Sequence, residues 1–239
     1  MKRVLILVVS VDSMPVYDNL YHKQRETWDA IEVEGVQTLF YFGGDKASTY
    51  KCLYTGHKED YSTMGYKCLS AFSYALINCK FDYVFRANSS QYIDKKRLVD
   101  YCQNIPTENL ALGLCTEGGK GFMWGGGGYI FSHDVIEKIV DNRSKWDHSV
   151  MEDVGVSKLC VDIGIPLTSK GVACSVDKNM NGYEFICYNN SKGGGCTVQD
   201  LAEMKTHPEL VDQFCIRVKC DRNRAMDLIL MDEFYSVFK

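Results

Sequence analysis

The 239-residue chain has no basic surplus: 27 Lys and Arg stand against 31 Asp and Glu, a formal charge of −4. A general nucleic-acid binder needs cations to neutralise phosphates, so that class is set aside, while a small basic pocket for one pyrophosphate stays open. The chain also lacks any apolar run near the roughly 18 residues that cross a bilayer. Met1-Lys2-Arg3 is followed by only six apolar residues, Val4 to Val9, and then by Asp12 and Pro15 in place of a small-residue cleavage site. This reads as a buried first strand and not as a secretion signal, and the expectation is a soluble, cytoplasmic protein with no transmembrane segment. The 11 cysteines form no Cys-x-x-Cys pair, which removes the usual zinc spacing. Reduced thiols are expected, with a disulfide among Cys187, Cys196, Cys215 and Cys220 as the alternative. No Gly-x-Gly-x-x-Gly follows the first strand, and neither Gly-Lys-Ser/Thr nor Gly-x-Ser-x-Gly occurs. Dinucleotide-dependent dehydrogenases, phosphate-loop enzymes and serine esterases are thereby demoted. No internal repeat, long linker or charge block divides the chain.

What is present is an alternation of strand and helix signals. Val4 to Val11 is continuous, apolar and β-branched, as expected of a strand buried on both faces of a parallel sheet. A helix is predicted around Tyr21 to Ile31, a strand over Val36 to Phe42 ending at Gly43-Gly44-Asp45, and a helix between Asp60 and Asn78. In that helix Met64, Cys68, Phe72 and Leu76 recur every four residues. Strands are predicted over Phe81 to Ala87, Leu110 to Cys115 and Tyr129 to Phe131. Helices follow from Asp94 to Cys102, from Ser132 through Val140 and from Ser149 to Ile163. Asn179 to Gly195 is polar and glycine-rich and reads as a loop, with Gly193-Gly194-Gly195 a lid or a plain surface loop. Phe214 to Val218 reads as a short strand before a final helix. This order predicts an α/β fold with a mostly parallel sheet, and ligands of such sheets bind beyond the carboxyl ends of the strands.

At one such end stands Asn88-Ser89-Ser90, a polar turn between Phe81 to Ala87 and the apolar Tyr92-Ile93. Four other segments flank it in order: Arg25-Glu26-Thr27-Trp28; Glu59-Asp60-Tyr61 with Lys67, Cys79 and Asp82-Tyr83; Gly126-Gly127-Gly128-Tyr129-Ile130-Phe131-Ser132; and Glu152-Asp153-Val154. Together they resemble the β-1,3-glycosyltransferases of the galactosyltransferase and Fringe type (glycosyltransferase family 31) over about residues 4 to 165. The resemblance implies a GT-A fold, a nucleotide-sugar donor and inversion at the anomeric carbon. It also implies one GT-A domain over 1–239, with a nucleotide-binding half over 1–100 and an acceptor-binding half with the C-terminal segment over 101–239. The chain departs from the family at its metal motif, where Asn88-Ser89-Ser90 replaces an aspartate cluster.

Inverting sugar transfer needs a base for the acceptor hydroxyl and something positive for the departing nucleoside diphosphate. The resemblance makes Asp153 the candidate base; the alternative is that Glu152 and Asp153 only favour a helix N-terminus. Asn and Ser offer neutral oxygens, whereas Mn²⁺ or Mg²⁺ prefers hard anionic ones, so no metal ligand is assigned and any metal is expected to bind weakly. Arg86 and Arg25 are candidate cations for phosphate, with structural ion pairing as the alternative for Arg86; Lys205 and His207 are further candidates. Ser10, Val11 and Asp12, ending the first strand, and the turn Asn88, Ser89 and Ser90 complete the candidate donor side. Trp124, Gly126, Gly127 and Glu152 form the candidate acceptor or sugar side, with core packing for Trp124 and a simple turn for the glycines as alternatives. The expected partners are a nucleotide-sugar donor, UDP-linked, and a glycan or glycoconjugate acceptor. The competing expectation is a catalytically silent GT-A-like module that binds a sugar nucleotide or glycan.

Overall fold

The computed structural model describes residues 1–116, 121–170, 213–219 and 223–239, together with the backbone of strands at 173–179, 182–187 and 194–198. Strand β1 (Val4–Val9) is buried along its whole length. Its continuous apolar run has a structural cause. Val4, Ile6 and Val8 enter one core while Leu5, Leu7 and Val9 enter another on the opposite face. Each such side chain contributes about 1.5–3 kcal/mol by leaving water.

Helix α1 (Pro15–Glu26) follows, then β2 (Val36–Phe42), the short β3 (Cys52–Tyr54), α2 (Met64–Asn78) and β4 (Tyr83–Asn88). The chain continues through β5 (Gln91–Ile93), α3 (Lys95–Gln103), β6 (Ala111–Gly113), β7 (Tyr129–Ser132), α4 (His133–Asp141), α5 (Glu152–Asp162) and β8 (Leu167–Ser169). The seven-stranded sheet has the order β3-β2-β1-β4-β7-β6-β8. Four adjacent pairs run parallel, while β7 is antiparallel to both β4 and β6. Helices α1 and α3 cover one face; α2, α4 and α5 cover the other.

A second sheet, β11-β10-β9-β12-β5, joins β9 (Ala173–Asn179), β10 (Gly182–Cys187), β11 (Gly194–Val198) and β12 (Cys215–Arg217) to β5. Each sheet thus draws strands from both sides of residue 100. Helix α6 (Ala225–Phe238) buries Leu230, Met231 and Phe234 in the core on the α1 side.

Three expectations are corrected. The first helix begins at Pro15, a residue whose fixed φ and missing N–H suit the first helical turn, and ends at Glu26, with only a 3₁₀ turn at Trp28–Ala30 beyond. The helix expected from Ser149 begins at Glu152. The expected loop from Asn179 to Gly195 contains β10 and part of β11, paired antiparallel with Cys187 opposite Gly194 and Ile186 opposite Gly195. Gly194 and Gly195 are therefore ladder residues and not a lid; Gly193, like Lys205 and His207, lies outside the described residues. Cys52, Cys68, Cys79, Cys102, Cys115, Cys160 and Cys215 are free thiols. Among the described residues no helix is long and apolar enough to cross a membrane.

Candidate active site

The parallel register puts Val9 of β1 opposite Asn88 of β4, so Ser10 to Asp12 and the Asn88-Ser89-Ser90 turn leave the sheet side by side at its carboxyl edge. The turn is fixed from below. Gln91 Oε1 accepts the Asn88 N–H at 2.7 Å. Gln24 Nε2 donates to the carbonyls of Asn88 (3.1 Å) and Gln91 (2.8 Å), and Trp28 Nε1 donates to the Gln91 carbonyl at 3.0 Å. Trp28 of the Arg25-to-Trp28 segment is therefore a brace for the turn. These bonds use the backbone and the Gln91 side chain and leave the Ser89 and Ser90 hydroxyls out.

Behind the turn lies a buried polar floor. Antiparallel pairing places Arg86 of β4 beside Tyr129 of β7. Arg86 Nη2 donates to Glu152 Oε2 at 2.8 Å, and Tyr129 Oη donates to Glu152 Oε1. Arg86 Nη1 reaches Asn88 Oδ1 (2.8 Å) and the Gly125 carbonyl (3.2 Å). Burial opposes the Arg86 charge, but Glu152 beside it prevails and lifts its pKa well above the ordinary value. Burial also pushes the Tyr129 hydroxyl and the Cys68 thiol well up, with Glu152 adding to both. Arg86, a candidate for phosphate, thus lies buried in an ion pair with Glu152, and the Glu152 carboxylate, a candidate on the acceptor side, faces the interior. Arg25, the other candidate cation, pairs through Nε with the buried Asp29 at 3.1 Å, alongside Lys51 and Lys95.

In front of the floor runs the segment from Trp124 to Gly128. Asn88 Nδ2 donates to the Gly125 carbonyl, and Gln91 Nε2 to the Gly126 carbonyl at 2.9 Å. Asp153, half-buried at the start of α5, accepts the Gly125 N–H on Oδ2 (3.0 Å) and the Val154 N–H on Oδ1 (2.9 Å). The glycines match the turn alternative: Gly127 and Gly128 N–H close on the carbonyls of Trp124 and Gly125, and Gly128 has φ +76°. Trp124 folds back over Gly126 and Gly127, half-exposed, and the Arg217 guanidinium lies 4.7 Å above its ring.

On the other rim, Asp12 Oδ2 accepts from Lys46 Nζ (2.6 Å) and Tyr54 Oη (3.0 Å). Partial burial raises its pKa, but these two hydrogen bonds outweigh that and hold the carboxyl below its ordinary value. Ser10 is wholly buried, its hydroxyl has no hydrogen-bond partner, and Val11 is half-buried between them. The structure thus brings together Ser10 to Asp12, Asn88 to Ser90, Trp124 to Gly127 and Asp153, and sets Arg25 apart.

Sequence reasoning missed Gln24, Gln91 and Arg217. The signal for Arg217 is one charged residue inside the otherwise apolar run Phe214-Cys215-Ile216-Arg217-Val218. Among the described residues no group of three or more His, Cys, Asp or Glu side chains comes together. The described donor set at the turn, neutral amide and hydroxyl oxygens, does not fit a hard divalent ion held by the protein.

No protein-family model matches the chain, and no curated protein does. Among solved structures it is similar to a glycosyltransferase involved in the glycosylation of the major capsid of PBCV-1, at 12% identity and a TM-score of 0.56, covering 97% of this chain and 99% of that one. Two structures of the glycosyltransferase GlyE of Streptococcus pneumoniae TIGR4, one of them the apo form, align at 10% identity with TM-scores of 0.47 and 0.45, covering 99% of this chain and 64% of theirs. Near-complete coverage of the PBCV-1 protein, together with the seven-stranded sheet and its flanking helices, shows that this chain has a glycosyltransferase fold of the GT-A type.

Proposed function

We propose that the chain is an inverting glycosyltransferase that moves a sugar from a nucleotide donor, UDP-linked, to a hydroxyl of a glycan or glycoconjugate. The observation that carries the reading is the half-exposed Asp153 carboxylate, fixed on the Gly125 N–H in front of the Asn88 turn. In the reaction Asp153 takes the proton of the acceptor hydroxyl as its oxygen bonds to the anomeric carbon. The bond from that carbon to the diphosphate oxygen breaks, and its electron pair leaves with the nucleoside diphosphate. The finer relation, to the β-1,3-glycosyltransferases of family 31, rests on the four ordered segments. Trp28 supports it by bracing the turn that replaces the aspartate cluster. Metal dependence is proposed to be weak or absent.

A second reading, a silent module that binds a sugar nucleotide or glycan, is favoured by the neutral Asn88-Ser89-Ser90 turn. Nucleoside diphosphate release from a panel of UDP- and GDP-sugars, with glycan acceptors, separates the two. Asp153→Asn is expected to lower turnover about 10²–10⁴-fold, the usual range for removing a general base, while donor affinity stays within a factor of two or so. Wild-type binding without turnover on any acceptor would favour the silent module. Equal turnover by Asp153→Asn would remove the base assignment.

A further inference from the structure

Beside the candidate base, a stack of aromatic rings runs from the core to the surface. Tyr66, in the first turn of α2, is 43% exposed. Its ring lies face to face on His148, with 3.7 Å between centroids and 17° between planes, while His57 meets it only at a tilt, 5.5 Å away. Behind it the His148 ring is parallel to within 7° with the buried Trp146. Tyr66 is the outermost of the three. From His148 the chain runs through Val150 and Met151, both exposed, into Glu152 and Asp153. Met64, two residues before Tyr66, touches Arg86 of the floor at 3.6 Å.

The stack is held at some cost to the fold. Glycine is a poor helix former, yet a glycine stands where each of α2 and α5 meets the rings. A Cβ on Gly65 would come within 2.9 Å of His148 Nδ1, and one on Gly155 within 2.7 Å of Trp146 Nε1. Those two ring nitrogens are buried without a hydrogen-bond partner, which is a further cost. Local choices that oppose stability are expected where a surface serves recognition. Gly155 lies two residues past Asp153 in the same helical turn, so the stack is fastened to the element that carries the base. A sugar ring presents C–H bonds on its faces and hydroxyls at its edge, and an exposed tyrosine, with its apolar face and polar tip, matches both. Burial lowers the His148 pKa, so the ring behind Tyr66 adds no charge near neutral pH that would favour phosphate instead.

We infer that Tyr66, backed by His148 and Trp146, is the stacking platform for the acceptor sugar next to the one whose hydroxyl meets Asp153. The inference rests on the sugar-transfer reading above, which makes the bound glycan an acceptor. It is tested on the full chain by nucleoside diphosphate release from UDP- and GDP-sugars, for wild type, Tyr66→Ala and Tyr66→Phe. The acceptors are methyl glycosides of glucose, galactose, mannose and N-acetylglucosamine, and the disaccharides built from them. Tyr66→Ala should raise KM for the best disaccharide about tenfold and for its monosaccharide much less, while the donor KM holds. Tyr66→Phe keeps the ring and should stay close to wild type. An unchanged disaccharide KM in Tyr66→Ala would overturn the inference. So would equal rises for disaccharide, monosaccharide and donor, which mark a structural role. Both outcomes leave the sugar-transfer reading standing. If no acceptor turns over, saturation-transfer NMR of the same disaccharides with UDP present decides. A wild-type signal that Tyr66→Ala loses would keep the platform and favour the silent module. A signal that persists in Tyr66→Ala would overturn the platform, and no signal from the wild type would remove platform and sugar transfer together.

Discussion

Glu152 turns its carboxylate inward, where Arg86 and Tyr129 occupy its two oxygens, whereas Asp153, one residue on, keeps its carboxylate half-exposed against a backbone N–H. The same division runs through the loop they support. Gly125 offers its carbonyl to the floor, to Arg86 and Asn88, while Gly126 lies beneath Trp124 and Arg217 at the mouth. A short motif therefore contains a part that holds and a part that is presented, and type of residue alone does not tell them apart. Burial does. At the floor the charged pair is buried; at the mouth Asp153 and Arg217 stand half-exposed.

The sharpest way to break this comparison is Arg86→Met, which strands Glu152 in the interior. Removing one partner of a buried ion pair costs about 3–5 kcal/mol, so chemical denaturation should show a loss of that size. Pairing it with Glu152→Leu should recover most of the loss, because an apolar pair of similar volume is tolerated where a lone charge is not. If Arg86→Met instead kept its stability and lost donor affinity, Arg86 would belong to the mouth. A smaller effect is expected from Gly126→Ala. The added methyl meets the Trp124 ring and Arg217 Nη1, and overpacking of this kind costs about 1–3 kcal/mol. Since the displaced groups stand beside the Gly125 N–H that holds Asp153, turnover should fall with it. A Gly126→Ala protein that keeps full turnover would show that the Trp124–Arg217 stack is packing alone.

How much of this was legible in the sequence follows the same line. The strand at Val4 declares itself because both its faces are buried, and Val36 to Phe42 is observed with its expected bounds. β3 is too short at three residues to show a period, and β10 and β11 are short strands set in a polar, glycine-rich stretch that reads as a loop. Asp153 entered as a candidate through a motif. The ion pair of Arg86 was not legible, because its partner lies 66 residues away and only the packing of β4, β7 and α5 unites them. Arg217 was out of reach for a similar reason: its neighbours Trp124 and Gly126 come from a loop about ninety residues earlier, joined to it through β5.

The smallest expected effect concerns a third place, the rim that leans on the floor. Met64 Sδ touches Arg86 Nη2 at 3.6 Å; the next residue, Gly65, packs against His148, which stacks face to face with Tyr66 at 3.7 Å and lies parallel to Trp146. Burial lowers the His148 pKa below its ordinary 6.5, the nearby His57 lowers it further, and Asp147 opposes both. Well above pH 6.5 the ring is neutral in folded and unfolded chains alike and contributes no pH dependence. As pH falls from there toward the lower folded value, the unfolded chain takes up the proton first, and stability declines across that window. Urea midpoints for the wild type should therefore fall between pH 7.5 and pH 5.5, and His148→Asn should flatten part of that fall. Because the Arg86 guanidinium keeps its proton throughout this range, the slope of Arg86→Met should parallel that of the wild type. A change of slope in that variant would show that rim and floor titrate as one unit.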